Sequence, residues 1–334
     1  MITLKTSAFR RAREQELKLA ELRARRRQRF RILVCVNGTD PSYEGVKIAS
    51  EIGKDENCDI ILLYVRKIDQ GLNSGGLQIR VARQNMLEWG LELPGIQYLN
   101  RGLEILMEDN ILGDDWDEMI DHTDVLGDPL GDNKVEYRSI SGKSVVLKLK
   151  TAPDVSSGIL DQYELGPYNL IIMGPPKRWR GEFRSFIEPS SVQKVAMLAP
   201  CSVMTVRGNP NGKGYLLCTD GSDRSHEALK QAAVLAHFSA EPVSILAAAP
   251  VDTSAEYLER KVARLASELA EKGITTQDAE VIIGDPVSTV LDSGRSHSVI
   301  VVADSGKSKL TRFIAGSVAF DIMGQSEVSV LNVR

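Results

Sequence analysis

Cysteine and histidine are scarce, with 4 of each in 334 residues. Cys35, Cys58, Cys201 and Cys218 show no paired spacing, which argues against a disulfide framework and against a CxxC-type zinc module. Three of them lie in apolar runs that read as strands, as buried, reduced thiols do. His122, His226, His237 and His297 lack metal-ligand spacing, so no metal site is expected. No apolar run reaches the roughly 20 residues needed to span a bilayer. No apolar segment of signal-peptide type follows the charged N-terminus, so a cytoplasmic location is expected. The net charge of −4 excludes polyanion binding by the chain as a whole. What remains is ordinary for a globular protein: 43% hydrophobic and 26% charged residues. The length fits two domains, each able to bury its own core.

An internal repeat organises the chain. Asn37-Gly38-Thr39-Asp40-Pro41-Ser42 reappears as Asp220-Gly221-Ser222-Asp223-Arg224-Ser225, at an offset of 183. Glu44, Lys47 and Ala49 recur as Glu227, Lys230 and Ala232 at the same offset. Near the ends of the copies, Ser202–Arg207 matches Ser329–Arg334 at an offset of 127. The first copy therefore carries about 56 extra residues, the difference between 183 and 127, as an internal insertion.

Each copy alternates short β-branched runs with helical patterns. In the second copy the strands are expected at Tyr215–Thr219, Val243–Ala248, Ala279–Ile283, Val299–Ala303 and Val328–Val333. In the first they are expected at Arg31–Asn37, Asp59–Val65, Val145–Leu149, Leu170–Gly174 and Ser202–Val206. Ser225 reads as a helix N-cap and Ser317 as the start of the last helix. A helix over about Thr253–Lys272 carries Leu258, Val262, Leu265 and Leu269 on one face and stops at Gly273. Pro286 suits a first helical turn. Strands alternating with helices give parallel sheets with right-handed crossovers. The fold class is two tandem doubly wound α/β domains, each with a five-stranded parallel sheet, forming an intrachain pseudo-dimer. The expected boundaries are a basic helix at 1–29, a first domain at 30–208 with an insertion at about 66–142, and a second domain at 213–334. Within the insertion, Gln78–Leu91 reads as a helix. The acidic stretch Asp109–Asp132 reads as a solvated loop, because it lacks the spacing of a calcium-binding loop.

In open sheets of this kind ligands sit beyond the carboxyl ends of the strands, at the switch point. The residues after strands one and four of the second copy suit a phosphorylated ligand. Gly306 and Gly316 allow close backbone approach. Ser317 opens a helix, with N–H groups and the positive helix end behind it. Lys307, Lys309 and Arg312 add positive charge. Asp220, with Gly221 beside it, offers a carboxylate to a ribose hydroxyl or a cation.

The run Ala303-x2-Gly306-x9-Gly316-Ser317, with Asp220 at the end of strand one, resembles the universal stress protein family. Its ATP-binding members carry Gly-x2-Gly-x9-Gly-(Ser/Thr) there. The resemblance covers about Phe30–Arg334 apart from the insertion, and departs at Ala303, where the family has glycine. It implies that Asp220 meets the adenosine end, Gly306 and Lys307 the phosphates, and Gly316, Ser317 and Val318 the phosphates from the helix start. ATP, with Mg²⁺, is the cofactor it implies, in a non-catalytic, regulatory stress-response role. No nucleophile–base pair is legible in the sequence, and slow ATP hydrolysis stays open. In the first copy Asn37 replaces the aspartate, Gly174 is followed by Lys177 rather than glycine, and Glu188-Pro189 stands where a glycine is needed. That site reads as degenerate.

The N-terminal stretch Phe9–Phe30 carries nine Arg or Lys and three Glu, with Glu14 and Lys18 one helical turn apart. Without interleaved aromatics it does not favour nucleic acid. A partner protein, or self-association through the last strands, is expected. The rival reading is a nucleotide-free scaffold that binds a partner through the basic helix and the insertion. The basic cluster Lys177, Arg178, Arg180 and Arg184 around Trp179 reads as a solvated loop face or a partner contact.

Overall fold

The β-branched runs form strands and the periodic stretches form helices in the computed structural model, which describes residues 24, 27–68, 94–125, 128–164, 167–175, 190–208, 212–303 and 318–334. The first half of the chain runs β1 (Phe30–Cys35), α1 (Asp40–Ile52), β2 (Cys58–Lys67), α2 (Pro94–Glu108), β3 (Asp117–Val125), β4 (Asp128–Arg138), β5 (Ser144–Ala152), α3 (Val155–Glu164), β6 (Leu170–Met173), α4 (Ser191–Leu198) and β7 (Ser202–Thr205). The second half runs β8 (Tyr215–Thr219), α5 (Asp223–Phe238), β9 (Val243–Ala249), α6 (Ala255–Glu271), β10 (Thr276–Ile283), α7 (Pro286–Gly294), β11 (Val299–Ala303), α8 (Val318–Gln325) and β12 (Ser329–Val333).

All strands join one 12-stranded sheet in the order β10-β9-β8-β11-β12-β7-β6-β1-β2-β5-β4-β3. The second half is the expected parallel five, with β8 at its centre. The first half holds the equivalent five, β7-β6-β1-β2-β5, also parallel. It then departs from expectation by adding β4 and β3, both antiparallel. The acidic stretch is thus largely a β-hairpin rather than a loop. Its signal was masked because every described residue of β3 from Asp117 to Thr123 is exposed, so no apolar alternation marks it.

Alternation within buried strands assigns the helices to two layers. Ile32 and Val34 of β1 join one core with Val46 and Ala49 of α1, Leu106 of α2, Leu229 of α5 and Leu258 of α6. Leu33, between them, joins the other with Ile159 of α3, Val195 of α4, Val290 of α7 and Ile322 of α8. The helix α2 occupies in the first half the place that α6 holds in the second. The extra residues of the first half therefore fall in two blocks, one on each side of α2. The helix expected at Gln78–Leu91 lies outside the described residues. So does most of the basic stretch Phe9–Phe30, whose last residue, Phe30, opens β1. Helix α6 carries Leu258, Val262, Leu265 and Leu269 buried, as its periodicity requires. It is capped by the Ser254 hydroxyl, which accepts from the Tyr257 N–H at 3.3 Å. Gly273 lies just beyond it at φ +77°.

The halves meet where β7 and β12 pair antiparallel, Leu331 opposite Met204. The repeat makes this seam reciprocal. Arg207, which follows β7, donates to the carbonyl of Met323 in α8 at 2.9 Å. Arg334, its equivalent after β12, donates to the carbonyls of Ala196 and Ala199 at the end of α4. The Ser329 hydroxyl accepts from the Arg207 N–H at 2.9 Å, and the equivalent Ser202 hydroxyl accepts from the Arg334 N–H at 3.3 Å. Each half thus caps the last helix of the other, the self-complementary pattern of a two-fold interface. The pairing also corrects one expectation. Each last strand has a neighbour on both sides, so neither has an edge free for association between chains. Among the described residues the outermost strands are β10 and β3.

Candidate functional site

The two copies of the loop after the first strand fold alike. Gly38 and Gly221 both sit at φ +80°, a left-handed conformation that explains why glycine recurs there. The Asn37 Oδ1 accepts from the Thr39 N–H at 3.2 Å, and the Asp220 Oδ1 from the Ser222 N–H at 2.9 Å. An Asn–Asp exchange therefore keeps the turn while removing the charge.

In the second half a short polar network fixes this loop. The Gly221 N–H donates to the Thr219 hydroxyl at 3.0 Å, and the Thr219 and Ser225 hydroxyls lie 2.8 Å apart. The Tyr257 hydroxyl of α6 donates to the Gly221 carbonyl at 3.1 Å. The N-cap of α5 is Ser222, whose hydroxyl accepts from the Ser225 N–H at 3.2 Å. Ser225, expected as the cap, instead sits in the first turn, buried, and donates to the Ser222 carbonyl at 3.1 Å. Its proximity to the strand end placed it in the network rather than at the helix start. Burial pushes the Asp220 carboxyl upward, but hydrogen bonds from Ser222 and Ser225 outweigh it and hold the group below its ordinary value. A carboxylate so held is ionised and keeps acceptor capacity for an incoming hydroxyl.

Asp220 lines a cleft of about 340 Å³ at the carboxyl ends of β8, β9 and β11. Ala303 and Val318, at the end of β11 and the start of α8, line it as well. Gly221 lies in the loop behind it, its position closed by Leu258 and Tyr257. Gly306, Lys307, Gly316 and Ser317 lie outside the described residues, as do Lys177, Arg178, Trp179, Arg180, Arg184, Glu188 and Pro189 of the first copy. The apolar wall of the cleft was not singled out in the sequence. It comes from Ala248, Pro250, Pro286, Val290, Val302 and Ile322. Pro286 was legible only as a helix start; that α7 leans over the switch point is a product of the crossover.

Behind the loop, α5 and α6 are tied by an ion network. Glu268 takes Lys230 Nζ at 2.7 Å, His226 Nε2 at 3.0 Å and Arg264 Nε at 2.8 Å. His226, Glu227 and Glu268 bring their ligand atoms within 4.8 Å of one another, a spacing a metal could use. Lys230, which also reaches Glu227 at 2.8 Å, brings positive charge to the same carboxylates. Hydrogen bonds from Lys230, then His226, then Arg264 pull the Glu268 carboxyl down to about 2. A carboxyl lowered on folding from an ordinary 4.5 contributes stability above that value, lost as pH falls toward 2. The Glu268→Gln chain is expected to melt below the parent at neutral pH, with the gap closing in that window. Thermal midpoints across pH test this; a gap constant to low pH would remove the network from the stability of the fold.

Residues 215–334 match the model of the universal stress protein family. A universal stress protein from Archaeoglobus fulgidus DSM 4304 aligns over 91% of this chain and 96% of its own, at 16% identity and a TM-score of 0.58. A functionally unknown protein from Pseudomonas aeruginosa PAO1 aligns over 93% and 94%, at 14% identity and a TM-score of 0.53. Both share the fold across the two halves. A universal stress protein solved in complex with cAMP aligns over 36% of this chain and 96% of its own, at 23% identity and a TM-score of 0.33. No curated protein sequence matches the chain.

Proposed function

We propose that the universal stress protein domain in the second half of this chain binds ATP, with Mg²⁺, in a non-catalytic, regulatory role in the stress response. The observation that carries the reading is the switch-point cleft, with the ionised Asp220 on its polar side and an apolar wall opposite. The wall of Val290, Val302 and Ile322 suits a flat base, and Asp220 suits a ribose hydroxyl. Gly306, Lys307, Gly316 and Ser317 would then receive the phosphates, following the spacing of the motif. On this reading the second domain spans about 213–334 and the first about 30–208.

Calorimetric titration of ATP with Mg²⁺ into the purified chain tests the proposal. Saturation near one site per chain is expected. In Gly316→Val the binding heat should vanish while the fold is kept, because a branched side chain blocks the backbone approach. Unchanged affinity in the folded variant would sink this assignment. A second reading, a nucleotide-free partner scaffold, has one observation in its favour. Hairpin strand β3 is an outermost strand among the described residues, with Ile120 76% and Met119 42% exposed. Absence of binding heat, with no nucleotide released on denaturation, would favour that reading.

A further inference from the structure

The first half has its own cleft at the equivalent place, and it is larger, about 640 Å³. It opens at the carboxyl ends of β1, β2 and β6 and differs in chemistry from its counterpart. Its floor is apolar and sulfur-containing, with Cys35, Val36, Val65, Ile159, Met173 and Val192. One wall is a pair of tyrosines, Tyr64 and Tyr98, edge to face with centroids 5.8 Å apart. Both rings are seated on glycine. A Cβ at Gly95 would lie 2.4 Å from the Tyr64 ring, and one at Gly38 would lie 2.4 Å from the Tyr98 ring. The wall therefore lies against backbone at two positions where a side chain would collide with it.

Two polar features separate this cleft from a phosphate site. Helix α4 points its first turn into it, but the turn is closed by a capping box. The Ser190 hydroxyl accepts from the Gln193 backbone N–H at 3.3 Å, and the Gln193 side-chain Oε1 accepts from the Ser190 N–H at 3.0 Å. Two donors that a phosphate would need are thereby engaged. The other feature is Asn37, in the position of Asp220. Its carbonyl accepts from both the N–H and the hydroxyl of Thr39, at 3.2 and 2.6 Å. What Asn37 offers a ligand is its amide N–H₂, a donor where the second half presents an acceptor. Among the described residues that line it, the cleft carries no charged side chain.

We propose that the first-half cleft binds an uncharged aromatic small molecule bearing a hydrogen-bond acceptor, independently of any nucleotide in the second half. The ring packs against Tyr64, Tyr98 and the Met173 thioether, contacts that favour aromatic ligands. Asn37 orients it through the acceptor.

Prodan, an uncharged naphthalene ketone whose emission moves to the blue in apolar surroundings, is the probe. Titrated into the full chain, it should saturate at one molecule per chain, with affinity unchanged by excess ATP. Val155→Trp and Ser191→Phe change half-buried lining residues, so each fills the cleft from its rim without rebuilding the core. Each should lower the affinity by about tenfold or more. Asn37→Asp, at an exposed position that keeps the turn, should lower it about fivefold, because a carboxylate faces the ketone. Far-UV circular dichroism and the thermal midpoint establish that the variants are folded. Non-saturable binding, binding that survives both filled variants, or displacement by ATP would each overturn the proposal. Failure of ATP to bind the second half leaves this test intact, since its readout is the probe alone.

Discussion

A Gly221→Val chain should lose about 3 kcal/mol of stability, through left-handed strain and overpacking together. Gly221 sits at φ +80°, where a β-branched residue is strained by roughly 1–2 kcal/mol. A Cβ there would approach Leu258 Cδ2 to 2.8 Å and Tyr257 Cε1 to 3.2 Å. Leu258 is fully buried in the α6 stripe, and the Tyr257 hydroxyl is tied to the Gly221 carbonyl, so neither can move away freely. The collision adds roughly 1–3 kcal/mol, as overpacking does. Urea unfolding with an unchanged slope would measure the loss. Gly38→Val is the control: its neighbour Tyr98 is half-buried and can swing into the first-half cleft, so a smaller loss is expected there. Equal losses in the two variants would show that backbone strain alone sets the cost.

The second large effect is expected at the seam. Arg207→Ala and Arg334→Ala each remove a charged donor from helix-end carbonyls of the opposite half. Hydrogen bonds of this kind contribute roughly 1.5–3 kcal/mol each. The two clasps share no residue, so the double variant should lose nearly the sum, about 4 kcal/mol, if the sites are independent. Calorimetry should also show the parent transition resolving into two, as the halves lose their mutual support. A double variant no less stable than either single one would mean that strand pairing alone holds the seam.

These expectations draw on features that were unevenly visible in the sequence. The repeat exposed the architecture because β8, β9 and β11 are short runs, buried but for Ser244 and Ala303 and bounded by turns, and their burial on both faces leaves a nearly continuous apolar signal. It also exposed the Gly38 and Gly221 positions, where both copies keep glycine at a φ of +80° that favours it. The matching Ser202–Arg207 and Ser329–Arg334 segments marked where the two copies end, the strands that the seam then pairs. The hairpin β3–β4 stayed hidden because β3, exposed on both faces from Asp117 to Thr123, carries no period. Helix α2 stayed hidden because Pro94-Gly95 reads as a break, although proline is tolerated in a first turn. At the site, Asp220 and Ala303 were legible from motif spacing and both border the cleft. Val290, Pro250 and Ile322 were not, because their place there is decided by how helices cross the sheet, a tertiary outcome without a local signature.

The covalent join between β7 and β8 alters what the two-fold seam permits. In a pair of identical chains each substitution appears twice, so a change that helps one cleft is imposed on the other. Only nine residues, 206–214, separate the two strands here, and they hold one half beside the other at an effective concentration that separate chains would reach only when abundant. The partnership is thus guaranteed without symmetry. That freedom is visible in Asn37 and Asp220, which share one turn and differ in charge, and in a hairpin that lengthens the sheet on one side alone.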